Sequence, residues 1–184
     1  MARTQSNMLP LGTKAPDFKL VNTVDDTIIS LNEAKGLKGT LVMFICNHCP
    51  FVIHVNAQLS QLAKDYVSKG INCIAISSND VDNYPQDGPK FMKQFAIDND
   101  YIFPYLYDQT QDVAKAYNAA CTPDFFVFDG NLKLVYRGQL DDSRPGNDIA
   151  LTGTDIRTTF DHILNNKPIS EDQKPSIGCN IKWK

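Results

Sequence analysis

Hydrophobic and polar residues alternate along the chain in a pattern that predicts strands followed by helices. The segment GTLVMFI, residues 39–45, is a nearly unbroken apolar run rich in β-branched and aromatic residues, which is typical of a strand buried on both faces. From Pro50 to Lys69 apolar residues recur at every third or fourth position, and Gly70 follows. This spacing predicts an amphipathic helix. Residues 71–78 form a second apolar run and predict the next buried strand.

The same patterns predict the remaining elements. They are extended segments near 15–22 and 26–31, a helix near 90–97, a strand near 103–108, a short helix near 112–118, a hairpin over 125–138 that turns at Asp129-Gly130, and a last helix over 155–164. Strands that alternate with helices favour parallel pairing, whereas the hairpin adds antiparallel strands. We therefore expect an α/β fold with a mixed central sheet and helices on both faces. The tail, residues 165–184, shows no periodicity and is predicted to be coil.

Length and charge narrow the class of protein. A chain of 184 residues suits a single domain, residues 1–184, with its core at about 11–164. The net charge is −3 and no basic block is present, which argues against nucleic-acid binding. No apolar run approaches the ~20 residues that a membrane-spanning helix needs. The N-terminal segment lacks the apolar stretch of a secretory signal, so a cytoplasmic location is expected.

Five cysteines are present, an odd number that is too sparse for a disulfide scaffold. Cys46 and Cys49 form a Cys-x-x-Cys pair at the junction between the buried strand and the amphipathic helix. In a reducing compartment such a pair more often indicates redox chemistry or metal binding than a structural crosslink. A zinc site usually needs a second Cys-x-x-Cys or a histidine pair, and the sequence has neither.

The position of the pair favours redox chemistry. The first turn of a helix has unpaired N–H groups and a partial positive charge, which stabilise a thiolate. Pro50 fits this position because proline is tolerated where helical N–H groups have no partner. His48 lies between the two thiols, and an imidazole N–H beside a thiolate would make the disulfide more oxidising.

Three segments resemble the redoxin branch of the thioredoxin superfamily, which includes peroxiredoxin-like proteins of the AhpC/TSA type. They are LGTKAPDFKL near the N-terminus, FICNHCPF at the active-site position, and AACTPDFFVFDGNLKLVYRG at the loop and hairpin. The resemblance spans about Leu11 to Leu164 and implies a three-layer thioredoxin-like fold. It also implies that Pro123 is a cis-proline facing the dithiol, with Thr122 lining the substrate groove.

The chain also departs from the family pattern. Thioredoxin-like reductases usually have Trp before the first cysteine and Gly-Pro between the two, whereas Ile45, Asn47 and His48 stand here. The histidine is closer to disulfide-forming and disulfide-isomerising members. The strand before the motif also lacks the buried acid that assists proton transfer in thioredoxin.

The family offers two assignments of the leading thiol. In the thioredoxin-like assignment, Cys46 is the exposed nucleophile and Cys49 closes the internal disulfide from a more buried position. In the peroxiredoxin-like assignment, Cys49 is the peroxidatic thiol, and Cys46 replaces the hydroxyl residue that would position peroxide. A nearby thiol could then resolve a sulfenic acid on Cys49.

Topology adds Arg144 to the candidate site. The second hairpin strand runs back toward the dithiol, so the loop QLDDSRPGND should return to the same edge of the sheet. An arginine there could stabilise a thiolate or orient a peroxide. For Cys121 the interpretations are buried packing, an extra resolving thiol or a metal ligand. We expect Cys73 to be inert in a core strand. For Cys179, in the tail, the interpretations are an idle thiol or, if it is exposed, a reactive one.

The sequence therefore predicts a thiol–disulfide oxidoreductase in which Cys46 attacks, Cys49 closes the disulfide and His48 tunes the thiolate. Its partners would be a protein or small-molecule disulfide and an external thiol reductant. No organic cofactor is expected because no glycine-rich dinucleotide loop is present. The alternatives are a thiol peroxidase that reduces hydroperoxides through Cys49 and a copper or zinc module. The metal module would use Cys46, Cys49 and a histidine, with His162 the one far downstream.

Overall fold

A computed structural model describes residues 3–184. Its strands are β1 (Arg3–Gln5), β2 (Lys19–Asn22), β3 (Ile28–Ser30), β4 (Gly39–Phe44), β5 (Ile71–Ser77), β6 (Tyr105–Tyr107), β7 (Cys121–Thr122), β8 (Asp124–Asp129), β9 (Leu134–Gly138) and β10 (Ile177–Asn180). Its helices are α1 (Leu31–Ala34), α2 (Pro50–Tyr66), α3 (Pro89–Asp98), α4 (Asp112–Ala116) and α5 (Thr154–Leu164). Among the described residues, no helix combines the length and the apolar character needed to cross a bilayer.

The central sheet is mixed, as the pattern of elements predicts. Its seven strands lie in the order β3-β2-β6-β5-β4-β8-β9. Strand β4 pairs in parallel with β5 and antiparallel with β8, and the hairpin partner β9 pairs antiparallel with β8. Because β4 lies between two long neighbours, all six of its residues are buried, which explains its unbroken apolar sequence.

Helices cover both faces of this sheet. On one face, α2 and α5 pack through residues such as Leu59 and Phe160 against alternate residues of the central strands. On the other face, Leu31 of α1 and Ala114 of α4 belong to a second apolar cluster with the intervening strand residues. The predicted three-layer arrangement is therefore confirmed, and the sheet presents the end of β4 at the edge where α2 begins.

The prediction that residues 165–184 are coil is wrong for the last part of the tail. Residues Ile177–Asn180 form β10, the middle strand of a second sheet with the order β1-β10-β7. The tail sequence has no alternating pattern. This short strand is ordered by pairing with distant segments, so its own sequence does not predict it. The pairing brings the end of the chain to the β7–β8 junction, beside the dithiol.

Candidate active site

The dithiol lies where the sequence places it, at the junction of β4 and α2. Cys46 follows the end of β4, Cys49 is the N-cap residue of α2, and Pro50 is the first helical residue. The helix runs for 17 residues, so its first-turn N–H groups and its positive end lie beside the Cys49 sulfur.

Both cysteines are buried, so the expectation of an exposed Cys46 is wrong. Cys46 is 1% exposed and Cys49 is 0% exposed. The loop after β5 closes over the motif, because the backbone N–H of Asn47 donates to Asp87 at 2.8 Å and the Asn47 amide donates to the carbonyl of Gln86 at 2.8 Å. The sequence gives no signal for this cover, because a polar loop is normally solvated.

Thr122 contacts both thiols of the pair. Its hydroxyl oxygen lies 3.4 Å from Cys46 Sγ, and its carbonyl oxygen lies 3.1 Å from Cys49 Sγ. The Thr122–Pro123 peptide bond is cis, as the resemblance implies. Thr122 and Pro123 therefore border the dithiol.

Cys179 lies in contact with the dithiol, which sequence reasoning missed. Its sulfur is 2.8 Å from Cys49 Sγ, and the residue is buried at 3% exposure. Strand β10 places it there, since Cys179 is in register with Thr122 of β7. The available signal was a cysteine outside the motif near the end of the chain, and nothing in its local sequence distinguishes it from an idle thiol.

Hydrogen bonding shifts the pKa values of the two thiols in opposite directions. Hydrogen bonding from Cys46 lowers the pKa of Cys49 to about 5 against the opposing effect of burial, with further contributions from Cys179 and from the backbone N–H of Val52. The pKa of Cys46 is raised, because it donates to Cys49, is buried and lies near the Asp87 carboxylate. Cys49 is thus the sulfur that carries the negative charge in the reduced pair.

His48 faces a buried acid. Its Nδ1 atom lies 2.7 Å from Asp87 Oδ2, and its ring stacks on Tyr84 with centroids 5.6 Å apart. Asp87 is 0% exposed and also accepts from Asn79 and Asn47. The buried acid absent from β4 is therefore present near the dithiol, but it comes from the loop after β5.

Ligand atoms of Cys46, His48 and Asp87 lie within 4.8 Å of one another, a set of donors that could hold a metal ion. The Asp87 carboxylate already accepts hydrogen bonds from Asn47 and Asn79, whereas His48 Nδ1 lies 2.7 Å from Asp87 Oδ2 and makes no hydrogen bond of good geometry. His162 lies on α5 with its Nδ1 atom 2.7 Å from the carbonyl of Pro168, outside this cluster. The grouping of the dithiol with His162 that the metal-module alternative would need is not formed.

Comparison with family models adds independent information. The model of the AhpC/TSA family matches residues 11–137. The chain belongs to the AhpC/TSA family. This match contains the dithiol, the cis-proline and most of the hairpin, and it ends before Arg144 and Cys179.

Three solved structures are similar to this chain. An uncharacterized conserved protein from Geobacillus kaustophilus is 56% identical, with a TM-score of 0.98 over 100% of this chain and 97% of that one. A hypothetical protein from Sinorhizobium meliloti 1021 is 46% identical, with a TM-score of 0.96 over 98% of each chain. The thioredoxin domain of a thiol-disulfide oxidoreductase from Bacteroides vulgatus is 19% identical, with a TM-score of 0.63 over 83% of this chain and 99% of that one, and it shows the thioredoxin-like fold. The comparison with curated proteins gives no match.

The loop that carries Arg144 returns to the active-site edge of this AhpC/TSA chain. Arg144 lines a small cleft together with Phe51, His54 and Pro123. Its guanidinium donates to the carbonyls of Asp141 and Ser143 and to the Gln139 side chain, and among the described residues neither Cys46 nor Cys49 is a partner. The topological placement is correct, but the guanidinium stabilises its own loop rather than a thiolate.

The two remaining cysteines, Cys73 and Cys121, are also buried. Burial raises the pKa of Cys73, in β5, to about 12. Burial also raises the pKa of Cys121, which donates to the carbonyl of Pro123 at 3.6 Å. Neither setting offers a thiolate, which agrees with packing roles for both.

Proposed function

We propose that this protein is a thiol–disulfide oxidoreductase in which Cys46 and Cys49 alternate between a dithiol and a disulfide. The observation that carries the proposal is the hydrogen-bonded thiol pair at the start of α2, where Cys49 has a pKa of about 5. At neutral pH that sulfur is a thiolate, which is the form that attacks disulfides.

In the proposed reaction, the Cys49 thiolate attacks one sulfur of a substrate disulfide. The first substrate thiolate leaves and takes up a proton, and a mixed disulfide remains on Cys49. Cys46 then attacks Cys49 Sγ, passes its proton to the second leaving thiolate and closes the Cys46–Cys49 disulfide. The substrate gains two electrons, and an external thiol reductant returns them to the protein.

This order reverses the expected roles of the two cysteines. The resemblance allowed either thiol to lead and the sequence prediction chose Cys46, but the hydrogen bonds on Cys49 and the Asp87 carboxylate near Cys46 support Cys49 as the first nucleophile. We assign the resolving role to Cys46. The Thr122 hydroxyl, 3.4 Å away, would orient the Cys46 sulfur, and Pro123 would border the substrate groove.

His48 and Asp87 would act on Cys46 in the second step. Both lie within 4.8 Å of the Cys46 sulfur, and the carboxylate raises the Cys46 pKa. A high pKa keeps Cys46 protonated until the mixed disulfide forms, which limits premature reaction at that sulfur. The pair would then position Cys46 for attack, so we regard both as positioning residues.

Trapping the mixed disulfide tests the order of attack. A Cys46→Ser, Cys179→Ala double variant has lost both thiols that contact Cys49, so a small aromatic disulfide should leave one stable adduct on Cys49. The Cys49→Ser variant should lose disulfide reductase activity entirely, whereas Cys73→Ala should retain it. An adduct that forms on Cys46 in the Cys49→Ser variant at the wild-type rate would refute Cys49 as the first nucleophile.

A thiol peroxidase is the second candidate. It is favoured by the match to the AhpC/TSA family model and by the low pKa of Cys49, the peroxidatic position of the family. In that reaction the Cys49 thiolate would attack the terminal oxygen of a hydroperoxide, the O–O bond would break and an alcohol or water would leave. The sulfenic acid formed on Cys49 would then react with the Cys46 thiol to give the disulfide and water.

Mass spectrometry after treatment with hydrogen peroxide separates the two candidates. A peroxidase should give sulfenic or sulfinic acid on Cys49 of the double variant at substoichiometric peroxide. Arg144→Ala should slow that oxidation if the guanidinium orients peroxide. An unchanged rate would remove Arg144 from the candidate site.

A further inference from the structure

The sulfur of Cys49 contacts two thiols rather than one. One is Cys46 of the motif, which hydrogen-bonds to it, and the other is Cys179 of β10, whose sulfur lies 2.8 Å away. A disulfide on Cys49 could therefore be formed with either neighbour after a small movement of the sulfurs. The motif alone predicts one dithiol, whereas the structure places two other thiols against the Cys49 sulfur.

Strand β10 holds the third thiol in a fixed position. Cys179 is paired on one side with Arg3 of β1 and on the other side with Thr122, the residue that also contacts Cys46 and Cys49. The tail beyond the strand is anchored as well, since Ile181 N–H donates to the carbonyl of Ala120 and Lys182 N–H donates to Asn79.

The close approach of this strand is built into the sequence. A Cβ atom at Gly178 would lie 2.0 Å from the carbonyl oxygen of Thr122, a distance that no side chain tolerates. Only glycine lets β10 come near enough to place the next residue, Cys179, against Cys49. Ser176, the residue before β10, donates a hydrogen bond of 2.7 Å to the carbonyl of Pro123, the residue after β7.

We propose that Cys179 is a third redox thiol, which replaces Cys46 as the disulfide partner of Cys49 by internal thiol–disulfide exchange. The inference rests on the proposed function, because that reaction supplies the Cys46–Cys49 disulfide. The Cys179 thiolate attacks Cys49 Sγ, the Cys49–Cys179 bond forms and the Cys46–Cys49 bond breaks. Cys46 leaves as a thiolate and takes up the proton that Cys179 has lost, so no further oxidant or reductant is required.

The environment of Cys179 changes in the direction that this step needs. Burial and the hydrogen bond to Cys49 raise the pKa of Cys179 to about 12 in the reduced protein. Once Cys49 is part of a disulfide, its negative charge is gone and the second contribution disappears. Formation of the first disulfide therefore lowers the pKa of Cys179, so that its thiolate forms more readily.

The exchange would move the disulfide from the Cys46–Cys49 pair to the Cys49–Cys179 pair. A Cys49–Cys179 disulfide joins the start of α2 to the last strand and leaves Cys46 as a thiol. The disulfide of the oxidised protein would then lie in the buried contact between α2 and β10, next to the pairing of β10 with β7.

Peptide mapping reads the two disulfides separately. Trypsin releases Cys46 and Cys49 together in the peptide 39–64, Cys179 in the peptide 158–182 and Cys121 in the peptide 116–133. The full-length reduced protein is oxidised with oxidised glutathione, quenched with acid at successive times, alkylated and digested. We expect the internal disulfide of peptide 39–64 first, followed by growth of a crosslink between 39–64 and 158–182.

Variants make the result decisive. Cys46→Ser should give the 39–64 to 158–182 crosslink as the main product, Cys179→Ala should abolish it, and Cys121→Ala should leave its yield unchanged. The proposal is overturned if Cys46→Ser carries only a glutathione adduct on Cys49 while Cys179 alkylates freely. It is equally overturned if the wild-type protein forms the internal disulfide of 39–64 and never the crosslink.

These outcomes differ from a failure of the proposed function. If the wild-type protein forms no disulfide within 39–64 and does not reduce disulfides, the oxidoreductase proposal itself fails. If that disulfide forms without the crosslink, the oxidoreductase proposal stands and the role of Cys179 is lost.

Discussion

At the scale of single residues, the chemistry of a thiol here is decided by its hydrogen-bond donors rather than by burial. Cys49 and Cys73 are both buried, and burial alone raises a thiol pKa. Cys73 follows that rule with a pKa of about 12, whereas Cys49 departs from it with a pKa of about 5 because Cys46, Cys179 and a helix N–H hydrogen-bond to its sulfur. At Cys49 the hydrogen bonds to the thiolate therefore outweigh desolvation, whereas at Cys73 burial acts alone and raises the pKa.

Removing the main donor should raise the pKa of Cys49. Hydrogen bonds to charged groups contribute about 1.5–3 kcal/mol, so Cys46→Ala should raise this pKa by about 1 to 2. A titration of thiolate ultraviolet absorbance measures it: the signal should appear as pH rises through about 5 in the wild-type protein and at higher pH in the variant. Cys46→Ser keeps a donor and should lie nearer the wild type, and coincident curves for all three proteins would contradict the assignment of Cys46 as the main donor.

Sequence reasoning predicted some of the residues around the dithiol and missed others for a physical reason. The dithiol could be predicted from local sequence, whereas Thr122 and Pro123 were predicted from the resemblance to the redoxin branch. Asp87 and Cys179 reach the site only through the tertiary fold, from a loop after the next strand and from the end of the chain. No local pattern marks such residues, and burial of the motif itself was missed for the same reason.

At the scale of elements, the long central strands and helices were predictable and the small sheet was not. Strand β4 and helix α2 carry their own apolar patterns, and the structure places them within a few residues of the predicted bounds. Strand β10 has four residues, and it is ordered by β1 and β7 on its two sides. Its position depends on Gly178, where the backbone of β7 leaves no room for a side chain.

Gly178→Ala should therefore disturb β10 specifically. Because its Cβ would lie 2.0 Å from the Thr122 oxygen, the strand must move, and overpacking of this kind costs about 1–3 kcal/mol of unfolding free energy. Displacing Cys179 should also raise the pKa of Cys49, since Cys179 is one of its donors. Urea denaturation and the thiolate titration check the two effects.

Gly146→Ala is the matched control for that variant. Gly146 has a φ of +79° and an added Cβ would meet nothing within 4 Å, so this change strains only a surface turn. It should cost some stability and leave the titration of Cys49 unchanged. Equal shifts of that titration in both variants would show that the approach of β10 does not govern the Cys49 sulfur.

At the scale of the whole molecule, two distant segments close over the dithiol. The loop after β5 contributes Tyr84, which stacks on His48, and the tail contributes Lys182, whose Nζ atom lies 5.5 Å from the centre of the Tyr84 ring. The loop and the tail are also joined, because Asp80 N–H donates to the carbonyl of Lys182. A protein disulfide cannot reach a buried sulfur in this arrangement, so the proposed reaction requires the loop and the tail to separate.

Tyr84→Ala should make that separation easier. Aromatic contacts contribute about 0.5–1.5 kcal/mol, so losing the stack on His48 should speed alkylation of the dithiol by iodoacetamide about two- to tenfold. Tyr84 is half-buried on the surface, and the change in unfolding free energy should be small. Phe91→Ala, which removes an exposed ring from α3, should leave the alkylation rate at the wild-type value. If iodoacetamide alkylates the dithiol no faster in Tyr84→Ala than in Phe91→Ala, the loop after β5 does not limit access to the dithiol. The opening must then involve the β10 segment alone.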